Sequence, residues 1–204
     1  MKIIKVENNL LKHLISKIRD KNTDSFLFRK YISDISKILL IKFLEDENLV
    51  YKEIETWIGK LEQPFLEEDR YVFIPILRAG LPMLDGALEI LPNSKAGFLA
   101  IKRDEETLES KIYYKRLPDL KNKIAVILDP MVATGGSLSL AIDILKEENP
   151  EKIISLNIIA APEGLERLKT KDFVMYIAQI DEKLNDKGYI IPGIGDAGDR
   201  LFNT

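Results

Sequence analysis

The sequence contains no cysteine and a single histidine, His13. Without thiols it can form no disulfide, no thiolate metal site and no cysteine nucleophile. One imidazole rules out multi-histidine metal centres, and a Ser-His-Asp triad could be built only around His13. That residue lies among Lys and Leu in a helical pattern, which reads as a surface or boundary position. Positive charge is not in excess either. The 30 Lys and Arg against 33 Asp and Glu leave a net charge of −3, which argues against nucleic acid as a partner. No apolar run approaches the roughly 20 residues of a membrane span. The start, "MKIIKVENNLLKHL", is charged within a few residues and lacks the apolar core of a secretory signal. These absences predict a soluble, cytoplasmic protein that engages neither membrane nor nucleic acid.

What is present is a globular composition. Apolar residues make up 46% of the 204 positions, enough for a substantial core, and the length suits one domain. No linker, repeat or low-complexity tract divides residues 1–204. The N-terminal part, 1–69, reads as mainly helical. Leu10, Leu11, Leu14, Ile15 and Ile18 follow helical spacing, "RDKNTDS" (19–25) reads as a break and new N-cap, and Tyr31, Ile32, Ile35, Ile38, Leu39 and Phe43 line a second face.

From residue 70 the pattern changes. Short apolar runs rich in branched residues occur at 71–77, 96–102, 123–128, 152–161 and 172–178, with helical patterns at 81–90, 137–148 and 163–170. Continuous apolar strands suit a sheet covered on both faces, and strand–helix alternation predicts an α/β fold with a parallel sheet. Residues 102–121, "KRDEETLESKIYYKRLPDLK", are too polar for a core strand. They fit either a solvated loop or a β-arm that projects over a site or towards a partner subunit.

Ligands of open parallel sheets bind at the carboxyl ends of strands, and three loops qualify. In "PILRAGL" (75–81) a strand runs into Arg78, whose fork matches an anion; a surface salt bridge is the alternative. In "ILDPMVATGGS" (127–137) Asp129 ends a strand, and Ala133, Thr134, Gly135, Gly136 and Ser137 lead into a helix. Glycines let backbone N–H groups turn towards one anion, and the helix N-terminus adds partial positive charge. A triphosphate loop would need a Lys after Gly136, and none is there. A cradle for a single phosphate monoester remains, with a carboxylate placed to accept from sugar hydroxyls; the alternative is a tight turn capped by Thr134 or Ser137. The third loop is "GYIIPGIGDAGDRLFNT" (188–204), whose apolar residues predict order and whose glycines let backbone approach a planar ligand.

These segments resemble a family. "ILDPMVATGGS" is similar to the phosphoribosyl-diphosphate (PRPP) signature of type I phosphoribosyltransferases, and its Asp-Pro-Met form to the uracil phosphoribosyltransferase branch. "PILRAGL", "RDEETLE", "AAPEG", "GYIIPGIGDAGDRLF" and the N-terminal "RDKNT" followed by Phe28-Arg29 match that branch in the same order, over nearly the whole chain. The resemblance implies the type I fold, with N-terminal helices, helices on both faces of the sheet and a projecting arm. It implies transfer of ribose 5-phosphate from PRPP to uracil, giving UMP and diphosphate. It further implies PRPP binding by Arg78, Arg103, Asp129, Pro130, Met131, Val132, Ala133, Thr134, Gly135, Gly136, Ser137 and Asp196. Arg78, Arg103 and Asp129 would be the catalytic set, and Ile190, Gly195, Asp196 and Ala197 would read uracil. Mg²⁺ would accompany PRPP, residues 102–121 would act as a flap, and Tyr113 and Tyr114 would contact a second subunit in a homodimer or homotetramer. GTP and CTP are implied as effectors. The sequence departs from the branch at Pro82, Lys102 and Asn203; Pro is tolerated in a helix's first turn. An orotate enzyme should carry an extra cation that "IIPGIGDAG" lacks, and an RNA-binding relative should carry a basic face.

Overall fold

The computed structural model describes residues 1–103 and 110–204, with the side chain of Arg103 outside the description. A short strand, β1 (Lys2–Lys5), opens the chain and was not foreseen from the sequence. Helices α1 (Asn9–Arg19) and α2 (Ser25–Leu44) follow. Asn8 and Asp24 cap them, accepting from Leu11 N–H at 2.7 Å and Leu27 N–H at 2.8 Å, as short polar side chains do at helix starts. Leu11, Leu14, Ile15 and Ile18 are buried, while Leu10 and His13 face solvent. The apolar stripe of α1 is therefore narrower than its periodicity predicts.

The reading of 1–69 as mainly helical holds only as far as α2. Strands β2 (Val50–Thr56) and β3 (Gly59–Phe65) form an antiparallel hairpin. Its tip carries Trp57, 96% exposed, and Ile58.

The main sheet is built from β4 (Tyr71–Leu77), β5 (Lys95–Ala96), β6 (Phe98–Arg103), β7 (Ser110–Arg116), β8 (Ile124–Leu128), β9 (Met131–Val132), β10 (Lys152–Ala160) and β11 (Val174–Ile180). Its order is β1–β11–β10–β8–β4–β6–β7, with β5 on β4 and β9 on β10. Every neighbouring pair is parallel except β6–β7. Thus part of the charged stretch 102–121 is a strand, β7, on the sheet's edge, with Lys111 to Arg116 all exposed. Strand structure there excludes a wholly irregular loop; residues 104–109 lie outside the described residues.

Helices α3 (Leu81–Ile90), α4 (Gly136–Glu147) and α5 (Pro162–Leu168) connect the strands. Alternate residues of one strand enter different cores. Tyr71 and Phe73 of β4 pack with α1, α2 and α3, whereas Val72, Ile74 and Ile76 pack with α4 and α5. Coverage of both faces is the reason β4, β8 and β10 read as unbroken apolar runs. On α4, Leu138, Ala141, Ile142 and Leu145 are at most 1% exposed; each Leu or Ile buried so contributes about 1.5–3 kcal/mol. The chain ends with β12 (Lys183–Leu184) paired to β13 (Ile190–Ile191), then α6 (Ala197–Phe202). Residues 188–204 are thus ordered, as predicted. Asn203 takes φ 55° at the C-cap of α6, a left-handed position that Asn tolerates in place of Gly.

Candidate active site

The parallel strands end along one edge, and there β4, β8 and the C-terminal segment enclose a cavity of about 370 Å³. Arg78, at the end of β4, and Asp129, at the end of β8, both line it. Gly80 brings their loops together. A Cβ on Gly80 would lie 2.4 Å from the Leu128 carbonyl oxygen, so only glycine allows this approach of the arginine loop to the end of β8.

Asp129 is 8% exposed, and burial pushes its carboxyl up to about 7, partly countered by the Met131 N–H that it accepts at 3.4 Å. Its own carbonyl accepts from Asn157 Nδ2 at 2.7 Å, and Asn157 Oδ1 accepts in turn from Ser155 Oγ. Ser155 and Asn157 are fully buried on β10. The polar pair inside "IISLNIIAA" was a signal that sequence reasoning passed over. Its role is to anchor the backbone on which Asp129 sits.

The hydroxyls of the loop after Asp129 do not cap the helix that follows it. Gly135, at φ 74°, is the N-cap residue of α4 and no side chain caps the helix, so the alternative of a turn capped by Thr134 or Ser137 fails. Met131, Ala133 and Ser137 line the cavity, while Thr134, Gly135 and Gly136 continue the loop beside it. Pro130 and Val132 face the other way. Their carbonyls accept from Ile159 N–H and Ala161 N–H at 3.0 Å each, tying the loop to β10. The "AAPEG" motif backs the cradle: a Cβ on Gly164 would sit 2.3 Å from the Ala133 carbonyl oxygen. Two cradle neighbours had no sequence signal. A Cβ on Gly136 would lie 2.7 Å from Ser110 Oγ and 3.5 Å from Arg167 Nη1, which brings the start of β7 and an α5 cation to the glycine loop.

The far wall comes from the C-terminal segment. Ile190, Gly195, Asp196 and Ala197 all line the cavity, joined by Gly188, Tyr189 and Gly198 of the same predicted loop and by Lys187, which lies just before it. Asp196 caps α6, accepting from Asp199 N–H at 3.0 Å. Arg78 leans towards that helix, donating to Thr204 Oγ1 at 3.3 Å and Asp199 Oδ1 at 3.4 Å, with Phe202 under its guanidinium at 5.8 Å. These are long contacts on an exposed side chain, so the fork can turn to an anion at little cost. A second cavity of about 510 Å³ shares Arg78, Asp196 and Gly198 and extends to Ala100, Lys102 and Tyr113. Tyr113, predicted as a subunit contact, therefore also faces the cleft beside Arg78. Arg103 ends β6 near this edge; the predicted role of its side chain falls outside the described residues.

Comparison with known proteins follows the same lines. A family model described as "Uracil phosphoribosyltransferase" matches residues 5–204. A uracil phosphoribosyltransferase of Aquifex aeolicus is 50% identical over 202 residues, 98% of this chain and 97% of that protein. A solved structure of an Aquifex aeolicus protein, also 50% identical, superposes with a TM-score of 0.95 over 98% of this chain and 97% of that one. A purine phosphoribosyltransferase from Pyrococcus horikoshii, 20% identical, shares the fold at a TM-score of 0.53 over 75% of this chain and 85% of that one.

Proposed function

The chain belongs to the uracil phosphoribosyltransferase family and makes UMP and diphosphate from uracil and PRPP in pyrimidine salvage, and from that premise we propose how its residues divide the work. One observation carries the assignment: Arg78, Asp129, Ser137 and the Ile190–Ala197 loop converge on one cavity at the strand ends. The reaction breaks the bond from the ribose anomeric carbon to diphosphate and forms one to N1 of uracil, which gives up its proton. The sugar becomes oxocarbenium-like and the leaving group gathers negative charge, so positioning and electrostatics dominate. Arg78 and Arg103 stabilise the departing diphosphate. The cradle from Thr134 to Ser137 holds the 5-phosphate through backbone N–H groups and the hydroxyls of Thr134 and Ser137, while Pro130 to Ala133 carry the loop back from Asp129. Asp129 accepts from the ribose hydroxyls. Backbone groups at Ile190, Gly195, Asp196 and Ala197 read uracil's alternating carbonyls and N3–H, and Asp196 also faces PRPP.

Mg²⁺ fits this site as a companion of PRPP. Among the described residues no cluster of three or more acidic or histidine side chains forms, while PRPP offers phosphate oxygens, the ligands that Mg²⁺ ordinarily takes together with water. When bound, it supplies positive charge to the diphosphate. Among the described residues no helix is long and apolar enough to cross a membrane, and a substrate carrying three phosphoryl groups fits a cytoplasmic setting. The exposed Trp57 and Ile58 on the β2–β3 hairpin, with Tyr113 and Tyr114 on β7, favour a homodimer or homotetramer. UMP formation from PRPP should proceed with uracil and not with orotate, hypoxanthine or adenine. GTP and CTP belong in the same assay as effectors. Equal turnover of orotate would overturn the backbone-only reading of the base.

A further inference from the structure

The N-terminal motif "RDKNT…FR" has no part in the site just described, yet its residues converge on the loop that would read the base. Asp181 follows β11, and its N–H donates to the Ala160 carbonyl at 2.8 Å, so it is fixed to the sheet. Its carboxylate side chain is 1% exposed. Arg19, the last residue of α1, grips it with both nitrogens: Nη1 to Oδ2 at 3.0 Å and Nη2 to Oδ1 at 2.6 Å. Gly193 closes the arrangement. Its N–H donates to Asp181 Oδ2 at 2.9 Å and its carbonyl accepts from Arg19 Nη1 at 2.8 Å. Both polar backbone groups of one loop residue are thereby fixed by one ion pair whose carboxylate is buried and whose guanidinium is partly so.

A second arginine fixes the next residue. Arg200 of α6 donates to the Ile194 carbonyl at 2.9 Å and to the Asp20 carbonyl at 2.7 Å, and also to the Ile18 carbonyl. Its guanidinium lies 4.1 Å above the Phe28 ring. The end of α1 and the start of α2 thus form the platform on which residues 193–194 rest, immediately before the backbone that lines the cavity at Gly195, Asp196 and Ala197.

We propose that Arg19 and Asp181, assisted by Arg200, are positioning residues that set the backbone of the base-reading loop. The reason is geometric. A loop that recognises a planar base through backbone groups has no side chain with which to correct its aim, so the accuracy of its peptide planes determines recognition. Gly193 and Gly195 sit at φ 61° and 76° in a stretch that would otherwise sample many conformations. A bidentate Arg–carboxylate pair is the most directional charged contact available, and burial of the carboxylate protects it from screening.

The inference rests on the reading of Ile190–Ala197 as the uracil loop, and the test separates the two. Steady-state constants for uracil and for PRPP are measured on Asp181→Asn, Arg19→Lys and Gly195→Ala, with folding checked by circular dichroism. Asp181→Asn keeps the shape and an acceptor for Gly193 N–H but removes the charge that holds Arg19. It should raise KM for uracil by about tenfold or more while KM for PRPP stays within about twofold. Arg19→Lys, which keeps the charge but loses the fork, should fall between it and the parent; it carries the test if Asp181→Asn does not fold. An equal rise in both KM values, or an unchanged uracil KM in the two clamp variants, overturns the proposal. If Gly195→Ala raises uracil KM while the clamp variants do not, the clamp fails and the base loop stands. If Gly195→Ala also leaves uracil KM unchanged, the reading of the loop itself fails.

Discussion

Replacing Asp129 by Asn should impair turnover severely and yet make the ligand-free protein harder to unfold. The carboxyl is 8% exposed, its burial pushes it up to about 7, and among the described residues one backbone N–H, at 3.4 Å, supports its charge. In the unfolded chain it titrates near 3.9, and a gap of about three pH units corresponds to roughly 4 kcal/mol. The sign follows from proton linkage. With the folded value raised, the native state holds the proton more tightly, so the associated stability is complete below about pH 4 and is lost as the pH rises to about 7. Above that, the native state carries a buried carboxylate with little to balance it. Asn removes the charge and keeps an oxygen for Met131 N–H, but it introduces an NH₂ group that also needs partners. A net gain of about 2 kcal/mol above pH 7 is expected, or about 4–8 °C in Tm for a chain of this size. The stability difference from the parent should grow between pH 4 and 7 and then level off. Loss of charged acceptors for the ribose hydroxyls should lower kcat/KM for PRPP by about 100-fold or more. Thermal or urea unfolding of both proteins from pH 4 to 8, beside steady-state kinetics, checks both halves. A stability difference that does not vary with pH, or a variant less stable than the parent at pH 8, would refute the reasoning.

Arg78→Ala should cost about 100-fold or more in kcat/KM through loss of charge on the leaving group. Its side chain is 55% exposed, so Tm should stay within the shift of a ~0.5 kcal/mol surface change; near-normal kcat/KM would sink the leaving-group role. Gly164→Ala places a Cβ 2.3 Å from the Ala133 carbonyl oxygen, and the overpacked cradle should lose about 1–3 kcal/mol of stability and raise KM for PRPP more than KM for uracil. Steady-state kinetics with an unfolding curve checks this; unchanged KM for PRPP would remove the cradle from phosphate binding. Trp57→Glu on the exposed hairpin should shift the protein to a smaller species in analytical ultracentrifugation, and an unaltered mass distribution would exclude that hairpin as the subunit contact.

Parts of the molecule were legible in different degrees, for physical reasons that differ. The strand at 71–77 and the helix at 81–90 coincide residue for residue with β4 and α3, because burial on both faces and a single apolar face leave unmistakable periodicities. β1 and the β2–β3 hairpin escaped notice. β1 is an edge strand of four residues, and the hairpin is largely exposed, so neither carries a strong apolar rhythm. Leu10 was misassigned because helical spacing cannot distinguish a core position from the stripe's margin. In the site, Arg78, Asp129 and the glycine-rich loops could be read from their places at strand ends. Ser155 and Asn157 stand out as polar residues in an apolar strand, but what they hold, like the place of Arg167, depends on which backbone lies opposite them.

The sequence by itself determined the local chemistry: an arginine after one strand, a carboxylate and a glycine turn after another, and a terminal loop rich in glycine. Each of those is set by neighbours along the chain. Only the tertiary structure decided that Asp129 would be buried enough to titrate near neutrality, because that depends on residues far away in sequence. It alone joined Arg19 to Asp181 across 162 positions, bringing the N-terminal motif to the back of the C-terminal loop. Ion pairs and backbone contacts over such separations leave no periodic trace; they exist only where the sheet and its helices have already fixed the geometry.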